Sequence, residues 1–154
     1  MNKLGDLSCN EFLTELASAA PAPGGGGGAA MAGALAAALA SMVANLTIGK
    51  EKFADREPEV KELLEQAEAE RVRLLTLVDE DAAVFNSFMS CYKLPKTTDE
   101  EKAARTAAIR AAAKQAATVP LNIARSSFAV LKLADRLVVS GNPGVITDAA
   151  CSGL

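Results

Sequence analysis

Histidine is absent from the 154 residues of this chain, and its absence excludes several kinds of active site. Ser-His and Cys-His nucleophilic pairs, histidine general bases and histidine-containing zinc or iron sites all need an imidazole. Any catalysis must therefore use carboxylates, lysines, backbone dipoles or water. Tryptophan is also absent, and aromatic residues make up only 4% of the chain. The core must be built from small aliphatic side chains, a composition that favours helices over strands.

The chain also lacks the excess of positive charge that nucleic-acid-binding and membrane-surface proteins carry. Its 16 Lys and Arg residues stand against 19 Asp and Glu residues, which gives a net charge of −3. Aromatic platforms on which bases could stack are scarce. We therefore expect no nucleic-acid partner and no attachment to an anionic membrane.

Cysteine is infrequent and unpaired in the sequence. Cys9, Cys91 and Cys151 are odd in number and widely spaced. They predict reduced thiols in a cytoplasmic protein, packed as small hydrophobic side chains. A nucleophilic cysteine is a minor alternative, because no histidine could activate it. The length fits one domain over residues 1–154.

Helix signals follow one another along the chain, and no segment alternates like a strand. Ser/Thr capping boxes, or a proline or Thr-Asp pair at a first turn, predict five helix starts. These starts lie at Ser8, Glu57, Thr98, Pro120 and Thr147. Proline, glycine or a loss of apolar periodicity predicts helix ends near Pro21, Tyr92, Ala117 and Gly141. The sequence thus predicts an all-α protein, a multi-helical bundle.

A long apolar segment separates the first two of these helices, and from Leu16 to Gly49 it carries no charge. Five glycines, 24–28, lead into an Ala-rich helix that is apolar on all sides. The segment is long enough to span a bilayer. However, Ala and Gly gain little from hydrocarbon, and acidic residues precede the segment where a signal peptide would be basic. We expect instead a central helix buried on all sides, with a second subunit supplying part of its cover.

Three carboxylates stand together in the long helix, at Asp79, Glu80 and Asp81. At about 100° per residue, Glu80 points away from the apolar stripe centred on Val78, whereas Asp81 lies about 60° from that centre. A carboxylate on an apolar stripe is costly to bury unless it is paired or used. An ion pair with a neighbouring helix would explain Asp81, and so would a general acid or base whose pKa is raised by burial.

The glycine run 24–28 is a second candidate site. Free N–H groups at the positive end of a helix dipole can hold an anion or oxyanion. No Lys-Ser or Lys-Thr pair follows the run and no strand precedes it, so it is neither a Walker loop nor a dinucleotide fingerprint. A flexible linker is the alternative. Lys50, Lys93 and Lys96 lie near predicted helix ends, where solvated lysines are expected in any case, but they would matter for a ligand with carboxylates.

Several segments, in order, closely resemble one family of folate enzymes. They are residues 21–26, 41–50, 77–82 with Phe85 and Asn86, 93–96, 119–121, 141–142 and 147–149. The family is the cyclodeaminase/cyclohydrolase family. It comprises the cyclodeaminase domain of formiminotransferase-cyclodeaminase and the stand-alone bacterial methenyltetrahydrofolate cyclohydrolases.

The resemblance implies an all-helical, dimer-forming protein that binds reduced folate and needs no metal or redox cofactor. The family's catalytic aspartate is the second in its Val-Asp-x-Asp segment and falls on Asp81, which helical geometry selects independently. The matching motifs place substrate-binding residues at Pro23, Gly24, Gly25, Gly26, Asn45, Lys50, Lys93, Lys96, Asn142 and Asp148.

The chain departs from the family's pattern in two places. Gly27 and Gly28 stand where the family has a Ser-Val pair, which predicts a more mobile loop without a hydroxyl contact. Relatives continue with helical sequence beyond the aspartate matched by Asp148, so we expect a C-terminally shortened domain.

The implied reaction is hydrolysis of methenyltetrahydrofolate to formyltetrahydrofolate. One alternative is cyclodeamination of formiminotetrahydrofolate with release of ammonia. The other is a non-catalytic module that serves helical oligomerisation or folate binding.

Overall fold

The structure, a computed structural model, describes residues 3–154, and no strand occurs among them. Six α-helices follow in order: α1 Cys9–Leu16, α2 Gly24–Asn45, α3 Glu57–Cys91, α4 Asp99–Ala116, α5 Thr118–Ser140 and α6 Ile146–Ser152. Short 3-10 turns lie at Leu4–Asp6, Glu51–Phe53 and Pro143–Val145. The all-α prediction is confirmed.

Two helices begin at the capping boxes that the sequence predicts. The Ser8 hydroxyl accepts a hydrogen bond from the Glu11 N–H at 3.3 Å, and the Glu11 carboxylate accepts one from the Ser8 N–H at 2.9 Å. Thr98 and Glu101 form the same reciprocal pair at the start of α4. Each box satisfies two N–H groups that a helix start would otherwise leave without a partner.

Helix α1 is shorter than predicted, because it ends at Leu16 rather than near Pro21. The Ser18 hydroxyl donates to the Glu15 carbonyl at 2.7 Å and accepts from the Ala20 N–H at 3.0 Å. These local bonds replace helical ones and draw the chain into a turn.

The chain folds into two compact units, each made from two segments. Unit 1 comprises the segment ending at Gly28 together with Thr76–Ile123, and unit 2 comprises Ala29–Leu75 and Ala124–Leu154. Buried residues of unit 1 include Phe12, Leu77, Val78, Val119 and Ile123. The core of unit 2 includes Val43, Val60, Leu63, Leu133 and Leu137. One domain over residues 1–154 stays a prediction.

Helix α2 differs from the prediction in two respects. It begins at Gly24, so the five glycines form its first turns, and the mobile loop expected at Gly27 and Gly28 is helical. By length and composition α2 could cross a membrane, yet half of its most apolar stretch is buried inside the protein, as in core helices of soluble proteins. The other half is uncovered: Leu35 is 58% exposed and Met42 38%. Within this chain α2 is apolar all round but covered on one face, and the expected cover from a second subunit stays a prediction.

Helix α3 follows the predicted apolar stripe but buries only part of it. Val60 and Leu74 in unit 2 and Val78 in unit 1 are fully buried. Farther along, Phe85 is 38% exposed and Tyr92 46%. Helix α4, which follows, contributes no buried side chain. The C-terminal end of the stripe is therefore not core.

The three cysteines are free, as predicted, but two of them are not packed. Cys91 is partly buried, whereas Cys9 and Cys151 are exposed. The expectation that all three pack as small hydrophobic side chains is wrong for these two, because each lies on the solvent side of a short terminal helix.

Gly25→Ala should stabilise the protein. A Cβ at Gly25 would meet no atom within 4 Å, and alanine is the better helix former, so the free energy of unfolding should rise by about 0.5 kcal/mol. Gly49→Ala is the matched control and should lose about 1 kcal/mol, since its φ of +77° lies in the left-handed region. Urea unfolding followed by circular dichroism measures both changes. A lower free energy of unfolding for Gly25→Ala would contradict the open space beside that residue.

Candidate active site

Asp81 of α3 lies against the first turn of α2, within unit 1. A Cβ built on Gly26 would fall 2.5 Å from both Cγ and Oδ1 of Asp81, so the carboxylate rests on the bare Cα of that glycine. The Gly27 N–H donates to the same carboxylate and also to the Pro23 carbonyl at 3.2 Å, a sharing that is common at helix ends. The structure therefore brings Asp81 together with the predicted glycine run.

The electrostatic setting of Asp81 is unusual for an aspartate. Burial raises the pKa of its carboxyl above the ordinary value, and the Gly27 hydrogen bond offsets part of that increase. No Lys or Arg within residues 3–154 forms an ion pair with it. The ion-pair explanation therefore does not hold among these residues. What remains is a partly buried carboxylate that keeps a proton to higher pH than a solvated aspartate would.

The two acidic neighbours of Asp81 have other surroundings. The Asp79 carboxylate accepts a hydrogen bond from the Leu4 N–H at 2.7 Å and so fastens the N-terminal segment to α3. Glu80 is exposed, as predicted. Asp81 is thus the member of the trio that faces the glycines.

Four further predicted binding residues lie in unit 1. Gly24 has a φ of +61°, which glycine adopts without strain, and it opens α2 immediately before Gly25, which is exposed. Lys93 and Lys96 follow the end of α3 and are exposed. Their part in binding stays a prediction.

The remaining predicted binding residues lie in unit 2. Asn45 and Lys50 are exposed near the end of α2, and Asp148 is partly buried in the first turn of α6. Asn142 is already engaged: its N–H donates to the Thr47 hydroxyl at 2.9 Å and its amide donates to the Leu46 carbonyl at 3.2 Å. The Asn142 side chain thus satisfies the C-terminal end of α2.

Cysteine, aspartate and glutamate side chains are the metal ligands that this sequence could offer. Among residues 3–154, no three of them are grouped so that they could hold a metal ion. The expectation of a reaction without metal or redox cofactor stays a prediction.

An aromatic row continues from Asp81 along α3, and the sequence did not predict it. The row consists of Phe85 and Phe88, which helical geometry places within about 40° of Asp81 around the axis, and of Tyr92, which directly follows the helix. The Phe88 and Tyr92 rings meet edge to face with centroids 5.3 Å apart. Arg105 of α4 lies over the Tyr92 ring at 5.5 Å. Apolar spacing was the available signal, but spacing alone predicts core and does not reveal an uncovered surface.

Known proteins resemble this chain over almost its full length. A family model described as formiminotransferase-cyclodeaminase matches residues 8–154. A methenyltetrahydrofolate cyclohydrolase of Methylorubrum extorquens is 47% identical over 150 residues, which cover 97% of this chain and 72% of that protein. A formimidoyltransferase-cyclodeaminase of Rattus norvegicus is 36% identical over 143 residues, which cover 93% of this chain but 26% of that larger protein.

The similarity extends from the sequence to the three-dimensional fold of a solved structure. The formiminotetrahydrofolate cyclodeaminase of Thermotoga maritima superposes with a TM-score of 0.82 at 33% identity, over 96% of this chain and 69% of that one. The family indicated by the short motifs is therefore confirmed by whole-chain similarity in sequence and in helical arrangement. The chain belongs to the formiminotransferase-cyclodeaminase family.

Proposed function

We propose that this chain hydrolyses methenyltetrahydrofolate to formyltetrahydrofolate, with Asp81 as the general base and acid. The observation that carries the proposal is the Asp81 carboxylate, which is partly buried, has a raised pKa and rests against Gly26 and Gly27. The Methylorubrum extorquens relative, which is named for this reaction, supports it.

The reaction requires little more from the protein than a positioned water molecule and one carboxylate. The bridging carbon of methenyltetrahydrofolate is a cationic amidinium and is already electrophilic. Asp81 takes a proton from water as the water oxygen bonds to that carbon, which gives a neutral tetrahedral intermediate. As the bond from carbon to N5 breaks, Asp81 returns this proton to N5 and the hydroxyl proton of the intermediate leaves to solvent. The formyl group stays on N10, and one proton is released overall.

Surrounding groups favour this sequence of steps. The positive charge of the substrate stabilises ionised Asp81, which burial disfavours in the free protein. The N–H groups of residues 24–26 orient the pterin or a polar group next to it. Lys93 or Lys96 meets the glutamate tail.

A second candidate is the cyclodeaminase reaction, which the names of the Rattus norvegicus and Thermotoga maritima proteins favour. There N10 attacks the formimino carbon of formiminotetrahydrofolate, and the departing ammonia needs a proton. The same carboxylate would supply that proton, so the geometry at Asp81 serves either reaction.

Paired assays separate the candidates. Loss of methenyl absorbance reports hydrolysis, and a coupled assay on formiminotetrahydrofolate reports ammonia. We expect hydrolysis well above the spontaneous rate. Ammonia release from formiminotetrahydrofolate should be far slower than this hydrolysis. Ammonia release without hydrolysis would favour the cyclodeaminase. Folate binding without turnover in either assay would contradict the proposal and favour a non-catalytic module.

We also propose a homodimer or higher oligomer in the cytoplasm. Leu35 and Met42 are exposed on one face of α2, and the exposed Leu46 directly follows the helix. Such an apolar face is typical of a subunit contact. Unpaired cysteines support a reducing compartment. Sedimentation velocity measures the assembly.

A further inference from the structure

We propose that the aromatic row and Arg105 bind the p-aminobenzoylglutamate arm of the folate, an inference that rests on the proposed function. With a rise of about 1.5 Å per residue, Phe85 lies about 6 Å beyond Asp81 along α3, and Phe88 about 10 Å beyond it on the same face. Tyr92 directly follows the end of α3. The substrate's reactive carbon is joined to a benzene ring, then an amide, then glutamate. With that carbon at Asp81, the arm extends along the row.

The near end of the row suits the benzene ring. Phe85 is 38% exposed and stands one helical turn from Asp81, close enough for the two side chains to touch one ligand. Phe88 follows and braces Tyr92 edge to face. Such a surface gains free energy from covering an aromatic ring.

The far end of the row suits a carboxylate. The Arg105 Nη2 donates to the Tyr92 carbonyl at 3.3 Å, and its Nε is buried without a hydrogen-bond partner among residues 3–154. Glu101, one turn earlier on α4, forms no ion pair with it, and that carboxylate accepts from the Thr97 N–H at 2.7 Å and the Thr98 N–H at 3.2 Å.

No other carboxylate of residues 3–154 forms an ion pair with Arg105. A fixed guanidinium without an acidic partner is well suited to bind the carboxylates of glutamate. A ligand that is aromatic near Asp81 and anionic about three turns away matches both ends of this surface.

Arg105→Gln tests the anionic end, because glutamine keeps hydrogen-bonding groups but removes the charge. Calorimetry would give dissociation constants for tetrahydrofolate and for the amide of tetrahydropteroate, which lacks the glutamate and carries no carboxylate. We expect tetrahydrofolate to bind about tenfold more weakly to the variant and the amide to bind unchanged. Arg110→Gln, on an exposed residue of the same helix, is the control and should change neither constant.

Phe85→Leu tests the aromatic end. Both ligands contain the benzene ring, so both should bind about threefold to tenfold more weakly. Phe128→Leu changes an exposed phenylalanine of unit 2 and should change neither constant.

Several results would overturn the inference. Unchanged binding in both variants would do so, as would an equal loss for both ligands in Arg105→Gln. A change of molecular mass in either variant would assign the face to a contact between copies of the chain. Wild-type protein that binds tetrahydrofolate but turns over neither substrate would contradict the proposed reaction, while the two binding constants would still decide the subsite.

Discussion

Asp81→Asn should remove most of the hydrolysis of methenyltetrahydrofolate. The asparagine oxygen can still accept the Gly27 hydrogen bond, and the side chain fills the same volume, but it cannot take up a proton. General acid and base catalysis contributes about 10²-fold to 10⁴-fold, so kcat should fall by that factor in the absorbance assay. Asp79→Asn makes the same chemical change two residues away, at a side chain bonded to Leu4, and should leave kcat within about twofold of wild type.

The same variant should be more stable than wild type at neutral pH. Since burial raises the pKa of Asp81 in the folded protein, its ionised form opposes folding. The stability that the protonated form contributes is complete below the unfolded-state pKa and is lost as pH rises through the folded-state pKa. Asparagine removes this titration, so Tm at pH 7 should rise by on the order of 2 °C.

Scanning calorimetry at two pH values checks the sign of the Tm difference between the variant and the wild type. The difference in Tm should vanish at about pH 3, where both states of the wild type hold the proton. A variant that is less stable at pH 7 would contradict the raised pKa of Asp81, and one that hydrolyses at the wild-type rate would contradict its proton-transfer role.

Helix starts could be read from sequence because they depend on neighbours in the chain. The boxes at Ser8 and Thr98 close within three residues and need no tertiary contact. The glycines 24–28 are different, since each costs about 1 kcal/mol in a helix relative to alanine. Tertiary packing holds them helical: Gly27 approaches Val78, and Gly28 approaches Leu16. Residues distant in sequence thus decide that segment.

One part of the candidate site could likewise be predicted from sequence, whereas another part depends on tertiary packing. Asp81 could be identified as a candidate from sequence, because the spacing of residues within one helix is enough to place its carboxylate on an apolar face. Its contact with Gly26 joins residues far apart in the sequence and depends on how α2 and α3 pack, which periodicity does not contain. The exposure of Phe85 could not be predicted from sequence either, because spacing shows which side chains share a face but not whether another helix covers them. Here the following helix, α4, buries none of its own side chains.

Gly26→Ala should lower kcat about 100-fold while the protein stays folded. The new methyl carbon would fall 2.5 Å from Cγ of Asp81, closer than real contacts allow, so the carboxylate must turn away or α2 must shift. A displacement of about 1 Å at a reacting group costs roughly that factor. Gly28→Ala is the control, because its Cβ would make an ordinary contact of 3.5 Å with Leu16, and its kcat should stay within about twofold of wild type.

The pH dependence of Gly26→Ala separates a displaced carboxylate from a damaged fold. Burial raises the pKa of Asp81 because the carboxylate is held against the first turn of α2. A side chain turned into water loses that desolvation, and its pKa returns toward the ordinary value. The acidic limb of the kcat/KM profile should therefore move to lower pH in Gly26→Ala and stay in place in Gly28→Ala. A large loss of kcat with an unmoved acidic limb would mean that Gly26 shapes the fold in general and does not position Asp81.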